Sequence, residues 1–243
     1  MLAAVRTERF GDLLCRIVGG LDRQGGGDGP VVVLCHGYGA PGDDLVGLHR
    51  ALDVPRETRF VFPHAPLSLA GPYAMLGMDA RAWWPIDIAA LEAALAEGRA
   101  RDLRGEAPAG LMEARAALTG CLDAIEQTLR PTRLVLGGFS QGAMLSLDVA
   151  LHDPRPLAGI ALMSGTFLNE RGWRPRFAAR AGLRALVSHG THDALLPFAA
   201  TTELKDALVE AGWNVDFVPF RGQHEIPPLV LDRVSALVRE ACG

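Results

Sequence analysis

The sequence predicts an α/β fold, a mainly parallel sheet with helices on both faces. Three observations predict it. The chain has 243 residues, 49% of them hydrophobic and 21% charged, the composition of a globular protein able to bury about 70–75% of its unfolded surface. Short continuous apolar runs recur along it, as strands covered on both faces require. Helical periodicities fall between those runs, and strands alternating with helices give right-handed parallel crossovers. No internal repeat or low-complexity linker divides residues 1–243, so one domain is expected.

The first such run is Val31-Val32-Val33-Leu34-Cys35, after the glycine-rich Gly25 to Pro30. A helix is expected near Asp43-Asp44, whose carboxylates suit an N-terminus. Phe60-Val61-Phe62, Leu134-Val135-Leu136, Ile160 to Met163, and Leu186-Val187 within Arg184 to Ser188 read as further strands. Leu111, Leu118, Leu122, Ile125 and Leu129 recur along one helical face. Phe217 to Phe220 is a late strand and Leu229 to Val238 a final helix. Residues 64–110 break the alternation. They hold Pro66, Pro72, Pro85 and Pro108, the pair Trp83-Trp84 and the run Ala89 to Arg104, and read as an excursion over the sheet edge that shapes a pocket and carries one short helix.

Charge and composition exclude several functions. With 24 Lys+Arg against 28 Asp+Glu and a net charge of −4, nothing attracts phosphate backbones, so no nucleic-acid partner is expected. Apolar stretches are broken by charge, Gly or Pro, so no stable membrane insertion is expected. Arg6, Glu8, Arg9, Asp12 and Arg16 interrupt any signal-peptide core. Cys15, Cys35, Cys121 and Cys242 lie too far apart for a disulfide framework or a CxxC metal site and read as reduced thiols. A cytoplasmic location follows as an expectation. The sequence leaves the oligomeric state open, a homodimer included.

Gly138-Phe139-Ser140-Gln141-Gly142 directly follows the strand from Leu134 and precedes the helix-forming Ala143 to Leu147. A strand turning sharply into a helix leaves no room for a Cβ two residues either side of its apex, and the strained turn aims the serine outward. A hydroxyl is a weak nucleophile and needs a base, with partners after such an elbow in the order Ser, acid, His. Ser188 to Asp193 supplies Asp193 at the carboxyl end of one strand, and Arg221 to Pro227 supplies His224 after the next. Ser140, Asp193 and His224 are the expected catalytic residues. Glu203, Asp206 and Glu210 fall on the following helical stretch, and Glu225 is poorly placed to orient the base. His189 and His192 have no distant thiol or carboxylate partner and are expected to be hydrogen-bonded scaffold, so no metal is expected. The oxyanion of an acyl transfer needs two N–H donors. Gln141 at the helix head offers one and Tyr38, in the turn Cys35-His36-Gly37-Tyr38-Gly39, offers the second.

These residues resemble a known family. Cys35 to Ala40 with Asp43-Asp44-Leu45, Gly138 to Met144, His189 to Asp193 and Gly222 to Ile226 are similar to the motifs of the phospholipase/carboxylesterase family, which includes the acyl-protein thioesterases. The resemblance runs from about Val31 to the C-terminus. It implies an α/β-hydrolase fold, the Ser140/Asp193/His224 triad, an oxyanion hole at Tyr38 and Gln141, and hydrolysis of a small-molecule carboxylic ester or thioester without a cofactor. Phe62 to Pro66 and Arg81 to Pro85 also resemble family segments, the latter flanking the substrate. The charged stretch Leu91 to Arg104 departs from the family's pattern.

About twenty residues separate Met163 from the strand at Arg184, too few for a large cap domain. Arg171, Arg174, Arg176, Arg180 and Arg184 in that interval read as a solvated face. Met75, Leu76, Met78, Trp83 and Trp84 are expected to line an acyl groove, with Met75, Leu76, Trp83 and Trp84 as substrate-binding residues. The function expected is that of a serine carboxylic-ester hydrolase, carboxylesterase- or lysophospholipase-like. The alternatives are an acyl-protein thioesterase, peptidase or acyltransferase using the same triad, or a non-catalytic binding protein of this fold.

Overall fold

The structure, a computed structural model, describes residues 5–69 and 79–242. Ten strands are found among them: β1 Arg6–Phe10, β2 Leu13–Gly19, β3 Val31–Cys35, β4 Arg59–Pro63, β5 Leu67–Ser68, β6 Arg81–Ala82, β7 Leu134–Phe139, β8 Gly159–Met163, β9 Arg184–Gly190 and β10 Asn214–Phe220. Eight form one sheet in the order β1-β2-β4-β3-β7-β8-β9-β10, and β5 pairs with β6. From β4 to β10 the large sheet is parallel, while β1 and β2 join it antiparallel.

The apolar runs form strands because each side chain has a core to enter. In β3, Val31, Val33 and Cys35 pack into one cluster, whereas Val32 and Leu34 enter the other, as the two-residue period of a strand dictates. Helices α2 (Leu111–Leu129), α3 (Gln141–His152) and α4 (Phe198–Glu210) cover the first face, and α5 (Pro228–Cys242) with the 3-10 helix Asp44–Arg50 covers the second. Leu111, Leu118, Leu122, Ile125 and Leu129 are all buried on α2. The segment between β8 and β9 holds only a helical turn, Glu170–Trp173, and a 3-10 helix, Arg174–Arg180. Among the described residues there is no large cap domain.

Two elements differ from the sequence expectation, and the short helix expected in the excursion is present. The β1–β2 hairpin is new. Its two-residue turn has Gly11 at φ +55°, and β1 is an edge strand in which Thr7 and Arg9 are exposed and Arg6 and Glu8 only half-buried, so it lacks the apolar run of a central strand. The helix near Asp43 is a 3-10 helix. In the excursion, α1 spans Ile88–Ala96 and stops well before Arg104. Gly98 takes φ +66°, its N–H donates to Leu95 O, and the Arg99 N–H reaches back to Ala94 O. That pairing closes the helix end with glycine in the left-handed conformation.

Candidate active site

The turn between β7 and α3 places Ser140 at φ +54° and ψ −117°, a strained conformation for a residue with a Cβ. Its glycines are required by space. A Cβ on Gly138 would lie 2.5 Å from Cys35 O, and one on Gly142 only 2.1 Å from the same oxygen. The elbow is thus pressed against the end of β3, which also leads into the turn carrying Tyr38.

The β9 and β10 loops bring the other two groups to Ser140. His224 Nε2 lies 2.8 Å from Ser140 Oγ, and His224 Nδ1 lies 2.6 Å from Asp193 Oδ2. A carboxylate only accepts, so Nδ1 carries the proton and Nε2 presents its lone pair to the serine hydroxyl. Phe139 packs against the imidazole with ring centroids 4.8 Å apart. The loops are laced together: Thr191 N–H donates to Phe220 O and His192 N–H to Gly222 O. A Cβ on Gly190 would meet Gln223 O at 2.1 Å, so this approach also needs glycine.

Asp193 is held from several sides. Its Oδ1 accepts the N–H groups of Leu195 (2.8 Å) and Leu196 (3.0 Å), and its Oδ2 accepts from His189 Nε2 at 3.2 Å as well as from His224. Burial alone would raise the carboxyl. The hydrogen bonds from His189, His224 and Leu196, with the imidazole's charge, outweigh burial and hold Asp193 well below the ordinary carboxylate range.

His189 is fully buried, with Nδ1 at 3.0 Å from Thr201 Oγ1 and Nε2 also facing Leu196 O. It is the hydrogen-bonded scaffold its sequence context implied, and its contact with Asp193 was not anticipated. Among the described residues no group of three His, Cys, Asp or Glu side chains is arranged to hold a metal. Glu203, Asp206 and Glu210 are exposed on α4, and Glu225 Oε1 accepts from Gln223 N–H rather than orienting the ring.

Ser140 and His224 open onto a cavity of about 380 Å³ that Tyr38, Gln141, Met144 and Leu196 also line. Its far wall comes from the excursion, including Trp84, Ile86, Leu91 and Leu103. Arg101 binds both Glu106 oxygens (3.0 and 2.9 Å) at this wall, and its main-chain N–H donates to Leu195 O, beside the acid. Burial raises the Asp44 carboxyl in the same cavity. The other sequence-predicted groove residues divide. Trp84 faces the cavity. Trp83 and Trp84 are both buried in the first core cluster, at 1% and 2% exposure, but Trp83 is not among the cavity's lining residues, so its role as a substrate contact is corrected. Met75, Leu76 and Met78 lie outside the described residues.

His36 was expected only as part of the turn that carries Tyr38. It donates from Nδ1 to Gly37 O at 2.8 Å and accepts Ala65 N–H at Nε2, and burial lowers its pKa, so the buried ring is neutral. Arg180, expected on a solvated face, instead donates to Ala150, Arg155 and Asp153 carbonyls at the end of α3, where a cation complements the helix C-terminus.

Residues 24–241 match the phospholipase/carboxylesterase family. Among curated relatives, acyl-protein thioesterase 1 of Neurospora crassa is 29% identical over 202 residues, covering 79% of this chain and 78% of the relative. The corresponding protein of Gibberella zeae is 27% identical over 224 residues, covering 86% and 89%. Among solved structures, esterase PE8 superimposes with a TM-score of 0.73 at 27% identity, covering 93% of this chain and 97% of the other. The Zea mays acyl-protein thioesterase 2 structure shares the fold, with a TM-score of 0.71 at 22% identity and coverage of 94% and 99%. With its strand-to-helix elbow at Ser140, its parallel sheet and a match over residues 24–241, this chain belongs to the phospholipase/carboxylesterase family of α/β-hydrolases.

Proposed function

We propose that the protein hydrolyses carboxylic esters through an acyl-enzyme on Ser140. The observation that carries this reading is the continuous chain Ser140 Oγ, His224, Asp193, with contacts of 2.8 and 2.6 Å, at the edge of an apolar-walled cavity. His224 Nε2 takes the hydroxyl proton as Oγ attacks the acyl carbonyl. Asp193, ionised and fixed at both oxygens, orients the imidazole and stabilises its cationic form. The N–H groups of Tyr38 and Gln141 receive the oxyanion. His224 then protonates the leaving alcohol, and a water molecule, deprotonated by the same nitrogen, releases the acid. The acyl chain lies along the cavity wall formed by Trp84, Ile86 and Leu103.

The substrates are small-molecule esters. A thioester is the second reading, supported by relatives that are acyl-protein thioesterases. The same triad serves both, since only the leaving group changes. Labelling with a fluorophosphonate at Ser140, together with kcat/KM for matched oxygen esters and thioesters, tests the proposal. A folded protein that is neither labelled nor active on either series refutes it and favours a binding role.

A further inference from the structure

Trp83 and Gln141 are both nearly inaccessible, at 1% and 2% exposure, and their polar groups are joined. Trp83 N–H donates to Gln141 Oε1 at 2.8 Å, and Gln141 Nε2 donates to Trp84 O at 2.9 Å. On its other side, the indole N–H of Trp83 donates to His36 O at 2.9 Å, two residues before Tyr38. The main chain repeats the connection: Gly39 N–H donates to Arg81 O at 2.8 Å and Arg81 N–H to Ala40 O at 3.1 Å. Segment 81–84 therefore grips the turn around Tyr38 with one set of bonds and the first residue of α3 with another. Those are the two pieces of backbone assigned to the oxyanion, and they come from loops a hundred residues apart in sequence.

We propose that Trp83 is a positioning residue for the oxyanion hole, a staple that sets the Tyr38 and Gln141 N–H groups at their working separation. The proposal rests on the acyl-enzyme chemistry assigned to Ser140. Each buried bond has a polar partner on both ends, and a buried donor left without one is expensive, so the arrangement is held in a single geometry. Oxyanion stabilisation depends on donors already aimed at the developing charge. It also explains why a tryptophan flanking the substrate site is itself shut away from the cavity.

Trp83→Phe keeps an aromatic ring while deleting the indole donor together with part of the buried ring volume, and Gln141→Met keeps the main-chain N–H while deleting both side-chain bonds at nearly the same volume. Losing a whole oxyanion donor costs about 10²–10³ in kcat, and misaiming one is expected to cost about 10–100-fold. Acylation and deacylation both pass through an oxyanion. Each variant should therefore lose kcat by that factor on short and long esters alike, with KM nearly unchanged. The second measurement is affinity for a trifluoromethyl ketone: Ser140 Oγ bonds to its carbonyl carbon, the carbonyl electron pair moves onto oxygen, and the hydroxyl proton passes to His224. That affinity should fall by the same factor as kcat/KM.

A merely structural tryptophan would lower the melting temperature and leave both readouts intact. A folded variant with wild-type kcat and ketone affinity overturns the staple, as does a loss confined to long-chain esters, which would make Trp83 an acyl contact. If Trp83→Phe does not fold, Gln141→Met decides alone. Failure of the underlying chemistry looks different: the wild type would not bind the ketone, and Ser140→Ala would retain turnover.

Discussion

Ser140 shows how far a single residue can be argued. Its hydroxyl is half-buried at the cavity edge and bonded to His224, so removing it should leave packing intact. Ser140→Ala is expected to lower kcat by about 10⁴-fold or more with an unchanged melting temperature, measured with a p-nitrophenyl ester and by calorimetry.

Asp193 sets the pH behaviour. Its folded pKa lies below the ordinary 3.8, so its contribution to stability is present above that value and is lost as pH falls through the lowered one. The carboxylate is therefore ionised throughout the weakly acidic range. Mild acidification should thus cost no activity through protonation of Asp193. The kcat/KM profile of the folded enzyme checks this, and a two-proton acid limb above about pH 5 would assign a second titration to the carboxylate.

Among the elements, the strand-to-helix elbow is the most constrained. Gly142→Ala places a Cβ 2.1 Å from the main-chain oxygen of Cys35, which the end of β3 cannot yield cheaply. The expected cost is at least about 1–3 kcal/mol by urea unfolding, with activity lost as the elbow shifts. Gly120 on α2 is the opposite case, since a Cβ there meets nothing within 4 Å. Gly120→Ala should stabilise by up to about 1 kcal/mol, because alanine is the better helix former. The glycine motif was legible from Gly138 to Gly142 because its spacing encodes this steric demand. The β1–β2 hairpin was not, because an edge strand shares its charged alternation with a solvated loop.

For the whole molecule, the cavity is a joint product of the sheet edge and the excursion. Trp84 lines its wall while its carbonyl and buried face hold it in the first core cluster, so Trp84→Ala should reduce kcat/KM for long acyl esters relative to an acetate ester by about 1–3 kcal/mol of discrimination. A series of p-nitrophenyl esters in wild type and variant measures it, and a uniform loss across chain lengths would place Trp84 in support of the triad instead. The sequence alone determined the parallel sheet, the order Ser140, Asp193, His224 and the elbow, because continuous apolar runs and glycine spacing are local consequences of backbone sterics and burial. Only tertiary structure decided that of two buried tryptophans Trp84 and not Trp83 lines the cavity, that His189 shares the oxygen of Asp193 facing His224, and that Arg180 closes α3. The first and last depend on which distant segment arrives beside a side chain, and the second on His224 being brought to an oxygen that His189 reaches from its own loop. Composition and spacing carry no record of that arrival, since a hydrogen bond between residues tens of positions apart leaves no periodic trace in the chain.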